Sequence, residues 1–182
     1  MANSYFTDSR DGEIYRTVKI GNQIWFAENL RHKCDDEIPL YCKERVSDAI
    51  PDGWHLPTVD EWRILFHNVG GKYAGIEDNE EVYSCVAKVL KSVEGWAVDQ
   101  DFPRGVSLGE QIDPFGFSAL PLGGISHGKN AKIGSIATFW SRDEIDNRLR
   151  RVQFYNFSDD AYIGNFLNDV SCACAIRCVK DC

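Results

Sequence analysis

The chain lacks any apolar run near the roughly 20 residues that cross a bilayer as a helix, so no membrane span is expected. It lacks a basic stripe as well. The densest basic cluster, Arg148-Leu149-Arg150-Arg151, sits among Asp143, Glu144, Asp146, Asp159 and Asp160 in a chain of net charge −8. A phosphate backbone is bound by clustered Lys and Arg, and nucleic acid is excluded as the expected partner. Met1 to Arg10 is polar and does not read as the apolar core of a signal peptide. There is no internal repeat, no low-complexity tract and no G-x-S-x-G, P-loop, H-E-x-x-H or EF-hand loop. His32, His67 and His127 have no carboxylate or cysteine at a telling spacing.

What is present suits a folded domain. In 182 residues, 43% are hydrophobic and 12% aromatic, ample for a core, and one domain over 1–182 is expected. Seven cysteines, an odd count, leave at least one thiol unbridged in a monomer. Four fall at the end, as Cys172, Cys174, Cys178 and Cys182. A thiolate zinc site is conceivable there. The period-two placing of Cys172, Cys174, Ile176 and Cys178 instead predicts one face of a strand over 171–179. No metal and no cofactor is expected. Bridges from Cys178 or Cys182 to Cys34 or Cys42 stay open.

Ile14, Arg16, Val18 and Ile20 alternate with Tyr15, Thr17 and Lys19, and Gly21-Asn22 supplies a hairpin connection to Gln23–Phe26. Residues 31–50 read as loop with one helical turn. Thr58-Val59-Asp60-Glu61 is a capping box, and Val59, Trp62, Leu65, Phe66 and Val69 follow at helical spacing until Gly70-Gly71. Val82, Cys85, Val86, Val89 and Leu90 predict a second helix over about 80–91. Beyond Gly95 the pattern is loop-rich, then strand-like over 149–157 and 171–179, with a short strand centred on Tyr162. This order predicts an α+β fold, two helices packed on a twisted antiparallel sheet with a long loop-rich region. Trp54, Trp62, Trp96 and Trp140 are expected in the core.

These segments resemble one family in order. Asp11-Gly12, Thr17 to Gln23, Trp25 and Ala27-Glu28-Asn29-Leu30 resemble the opening of the Fibrobacter succinogenes major paralogous domain. Pro51-Asp52-Gly53-Trp54-His55-Leu56-Pro57-Thr58 with Glu61-Trp62 resembles its central signature. Gly95-Trp96, Phe115 to Pro121, Phe139-Trp140-Ser141 and Arg177-Cys178-Val179 follow, so the likeness runs from about 11 to 181. It implies a C-type-lectin-like fold related to formylglycine-generating enzymes, and an extracytoplasmic setting at the cell surface or in the secreted space. The family usually has a cysteine just before Pro-x-Gly-Trp. Here Ala49-Ile50 precedes Pro51, so the cysteine that the resemblance would pair with Cys178 is absent from that position.

His55 reads as a hydrogen-bonded residue beside a helix start rather than a catalytic base. The sugar-binding motifs of calcium-dependent C-type lectins are absent. The segment 148–168 joins aromatic rings to amides and arginines, the composition of recognition surfaces. The expected function is therefore a non-catalytic binding module for a carbohydrate or protein ligand, contacted through Arg150, Gln153, Tyr155, Asp160, Tyr162 and Asn165. One alternative is a variable receptor-binding protein of a diversity-generating retroelement. Another is a cysteine- or metal-dependent oxidoreductase of formylglycine-generating type, working through the late cysteines.

Overall fold

The computed structural model describes residues 4–34, 38–97, 113–126, 129–145, 148–165 and 172–182. In chain order these form β1 (Ser4–Thr7), β2 (Ile14–Ile20), β3 (Gln23–Phe26), β4 (Tyr41–Cys42), α1 (Lys43–Ala49) and α2 (Val59–Asn68). There follow β5 (Lys72–Glu77), β6 (Glu80–Ser84), α3 (Ala87–Leu90), β7 (Gly124–Ser126), β8 (Lys129–Ala131) and β9 (Ile136–Ile145). Last come β10 (Arg148–Tyr155), β11 (Ala161–Asn165), β12 (Ala173–Cys174) and β13 (Val179–Asp181). Strand predominates over helix. Three antiparallel sheets result, in the orders β1-β2-β3-β13, β5-β6-β11-β10-β9 and β4-β12-β7-β8.

The expected β2–β3 hairpin is present, with Val18 opposite Trp25 and Ile20 opposite Gln23. Gly21 turns it at φ 61°, a conformation that favours glycine, and the Asn68 amide stands where a Cβ would. Tyr15 and Thr17 are buried as well as Val18 and Ile20, so the strand is covered on both faces at its centre. In α2 the Thr58 hydroxyl accepts from the Glu61 N–H and the Glu61 carboxylate accepts from the Thr58 N–H. The Asp143 carboxylate accepts a further first-turn N–H, from Val59, at 2.5 Å.

The second expected helix is corrected. Glu80–Ser84 is strand β6, and only Ala87–Leu90 is helical. The reason is the turn before it: Asp78 and Asn79 both take positive φ, 48° and 65°, the geometry of a two-residue hairpin turn. Lys72–Glu77 then folds back on Glu80–Ser84 as a ladder. Cys85, at φ 63°, separates β6 from α3. The apolar stripe Val82, Val86, Leu90 is buried all the same, shared between a strand and a short helix.

The 171–179 strand is also corrected in extent: Ala173–Cys174 and Val179–Asp181 are strand, with bridging backbone between them. Its predicted alternation nevertheless organises the core. Cys172, Cys174, Ile176 and Cys178 join one apolar cluster, with Tyr15, Phe26, Trp54 and Trp140. Ala173, Ala175 and Val179 join the other, with Trp25, Trp62, Phe139 and Phe154. Arg177 takes a place on that second side, fully buried. Its Nε donates to Asn29 Oδ1 at 2.6 Å, and its terminal nitrogens donate to the carbonyls of Phe26, Phe117 and Ser118 at 3.1, 2.5 and 2.7 Å. The guanidinium lies over the Phe117 ring at 4.7 Å. Among the described residues no disulfide joins the cysteines. Trp54, Trp62 and Trp140 are buried, whereas Trp96 is only partly so.

Candidate functional site

The expected ligand-contact residues fall on β10, β11 and the turn between them. Register pairs Arg150 with Asn165 and Gln153 with Tyr162. Because strand side chains alternate, Gln153 and Tyr155 share one face, and Arg150 lies on the opposite one with buried Val152 and Phe154. There Arg150 pairs with Glu81 at 3.1 Å, and Glu81 also holds Arg63 of α2 at 2.7 Å. Arg150 thus ties the sheet to the helix. Against burial, which raises it, the Arg63 and Arg150 hydrogen bonds hold the Glu81 carboxyl below its usual range.

Gln153 is 5% exposed and engaged internally. Its amide donates to Thr138 Oγ1 at 3.5 Å and its carbonyl accepts from the Tyr155 hydroxyl at 3.2 Å. It orients Tyr155 rather than presenting itself to solvent. Asp160 accepts the Cys85 N–H at 3.0 Å, fixing the turn to the end of β6. The side chain of Asn165 lies outside the described residues.

Tyr155 and Tyr162 are half-buried and packed edge-on at 5.2 Å, and the Phe157 ring stacks on Tyr155 at 5.0 Å. Phe157 is 39% exposed. The Tyr162 hydroxyl meets Ser158 Oγ at 3.1 Å. Burial raises the pKa of both tyrosines, so the phenols stay protonated donors. Beside them Arg151 pairs with Glu80 at 2.9 Å, across Gly164, where a Cβ would collide with the Glu80 carboxylate.

Beneath the turn lies Lys91, 1% exposed. Its ammonium donates to the carbonyls of Tyr155 and Ser158 at 2.6 and 2.7 Å, and stands 4.7 Å from the centre of the Trp96 ring. Desolvation pulls its pKa down to about 8. Lys91 pins both ends of the ring-bearing turn, a positioning role that sequence reading missed. Glu80 was also missed, because its stretch reads as helix. The Asp78-Asn79 turn pair is the signal that reveals both the hairpin and Glu80's place in it.

The other chemical candidates are engaged structurally. His55 Nε2 meets Glu61 Oε1 at 2.5 Å, the carboxylate that also caps α2, as expected of a residue beside a helix start. Cys172, Cys174 and Cys178 are buried, and burial raises the thiol pKa of Cys174 and Cys178. Among the described residues one metal-capable group occurs, Asp8, Asp11 and His32, with one ligand atom of each within 4.8 Å of the others. Both Asp8 oxygens accept from Arg10, at 2.7–3.2 Å, and His32 Nδ1 contacts Asp11 at 2.5 Å. Arg10 also donates to the carbonyls of Asp48, Ala49 and Ile50 at the end of α1. The cluster reads as an ion-paired turn that anchors a helix. An open cleft of about 520 Å³, lined by His67, Gly70, Gly71, Lys72, Tyr73 and Tyr83, lies where α2 meets the β5–β6 hairpin. Among the described residues no helix is long and apolar enough to cross a membrane.

The fold and its late, ring-bearing turn define a mixed protein of antiparallel sheets and short helices. The Fibrobacter succinogenes major domain profile matches residues 33–180, and the chain belongs to that family. The match starts in the loop after β3, later than the resemblance read from Asp11. No curated protein and no solved structure matches the chain.

Proposed function

We propose that this protein is a non-catalytic ligand-binding module with a C-type-lectin-like fold, working at the cell surface or in the secreted space on a carbohydrate or protein ligand. The observation that carries this reading is the aromatic group Tyr155, Phe157 and Tyr162, partly exposed about the β10–β11 turn, whose carbonyls Lys91 holds and whose Asp160 is tied to the Cys85 N–H. Rings of this kind give large rigid contact area at low entropic cost, and their hydroxyls fix orientation. The Arg151–Glu80 pair at the edge adds charged hydrogen-bonding groups. The burial of Cys172, Cys174 and Cys178 supports binding over thiol-based oxidation, since a nucleophilic or copper-binding thiol needs access and an accessible thiolate.

The contact set proposed is Tyr155, Phe157 and Tyr162, with Arg151 and Glu80 at its edge; Gln153 and Asp160 position it. A screen of immobilised glycans and surface proteins identifies the ligand. Tyr155→Ala and Tyr162→Ala should each weaken binding by more than about 1 kcal/mol. A ligand bound equally well by both variants places the site elsewhere.

A further inference from the structure

We propose that two copies of this chain associate through β5, pairing antiparallel about a twofold axis between Ala74 and Gly75. Strand β5 is the outer strand of the five-stranded sheet, and among the described residues nothing pairs with its free edge. Five of its six residues are exposed, including Tyr73 at 57% and Ile76 at 67%. A bare edge with large apolar side chains is a template for another strand.

The sequence of β5 specifies which strand. Read against itself, Lys72-Tyr73-Ala74-Gly75-Ile76-Glu77 sets Lys72 opposite Glu77, Tyr73 opposite Ile76 and Ala74 opposite Gly75 of the second copy. A twofold interface requires such self-complementarity, since each contact occurs twice. The side-chain faces agree. Tyr73 pairs with Tyr83 and Ile76 with Glu81 on β6, and the irregularity between Tyr73 and Gly75 is what brings Tyr73 and Ile76 to one face. Without that extra residue they would point to opposite faces. Lys72 and Glu77, opposite Ser84 and Glu80, share the other face. Pairing therefore gathers the Tyr73 rings and Ile76 chains of both copies on one side and two Lys72–Glu77 ion pairs on the other. No ion pair among the described residues occupies Lys72 or Glu77 within the monomer.

The same register carries the Asp78-Asn79 turn of the second copy towards Gly71 and Gly70, which line the 520 Å³ cleft. His67 and Lys72 line that cleft, so the incoming Asp78 meets polar side chains there. The cleft thereby gains an occupant from the same interface.

The test is sedimentation velocity over a wide concentration series, on the full chain. Wild type should shift from monomer to a species of doubled mass as concentration rises. Lys72→Glu and Glu77→Lys should each weaken self-association on the order of tenfold or more, because each sets like charges opposite twice. Mixing the two variants should restore a heterodimer. Each of its two contacts then pairs opposite charges again, one in the native sense and one with the charges exchanged. Circular dichroism should show both variants folded. A wild type that stays monomeric at every concentration overturns the proposal and leaves the edge to a strand of another protein. So does a dimer that neither reversal weakens, or one that mixing fails to restore. None of these outcomes bears on the aromatic turn, which lies on β10 and β11.

Discussion

The segment from Cys172 to Val179 and the hairpin from Lys72 to Ser84 are both built from short strands, and they meet opposite fates. Every side chain of the first is buried, divided between two apolar clusters, with Arg177 spending its donors on four oxygens. In the hairpin Val82 is the only apolar side chain that is fully buried; β5 is open to solvent along nearly its whole length. Where both faces of a strand are covered, each position has one acceptable chemistry. Where the strand is an edge, side chains answer to solvent and partners instead.

The contrast is sharpest at Arg177. Arg177→Met should cost about 3–5 kcal/mol in urea unfolding, because three carbonyls and the Asn29 amide lose their donor inside the core. A loss under 1 kcal/mol would mean that this segment tolerates change as the hairpin does. Lys91 is intermediate, a buried cation serving an exposed turn. Lys91→Met should cost about 1–3 kcal/mol at neutral pH by freeing two buried carbonyls. Its pH signature has a definite sign. The folded pKa of about 8 lies below the usual 10.5, so the unfolded chain binds more protons between those values. The stability of wild type relative to Lys91→Met should therefore rise as pH increases from about 8 to 10.5, in unfolding curves taken across that window. A flat difference would mean the ammonium is better solvated than its burial indicates. Thr58→Ala, which removes one half of the α2 capping box, should cost about 1 kcal/mol. Tyr73→Ala, at dilutions where the protein is monomeric, should change stability by less than about 0.5 kcal/mol by thermal unfolding. A larger loss would make β5 part of the core and dissolve the comparison.

The same contrast decides what could be read in the sequence. The capping box of α2, the β2–β3 hairpin and the two-faced pattern of Cys172 to Val179 were legible because local chemistry and burial point the same way there. The β5–β6 hairpin was not, because Val82, Val86, Val89 and Leu90 satisfy a helical stripe and a strand-then-helix arrangement equally. Only the tolerance of Asp78 and Asn79 for positive φ separates the two. At the candidate site, composition located the ring-bearing segment on β10 and β11. It did not resolve which face each residue occupies. Arg150 and Gln153 suit a recognition surface by type, yet one bridges to α2 and the other is buried as an orienting amide. Lys91 was invisible because its partners are backbone carbonyls more than sixty positions away.

The claim that matters most is that a rigid core displays the aromatic turn for recognition, so that binding and stability separate there. The direct test pairs binding to the glycan or surface protein that the screen identifies with thermal unfolding for wild type, Tyr155→Ala, Tyr162→Ala and Trp62→Ala. The two tyrosine variants should lose binding signal while unfolding cooperatively, with far less stability lost than the roughly 3–5 kcal/mol expected for Trp62→Ala. Tyrosine variants that unfold as readily as Trp62→Ala, or that keep the full binding signal, would contradict it.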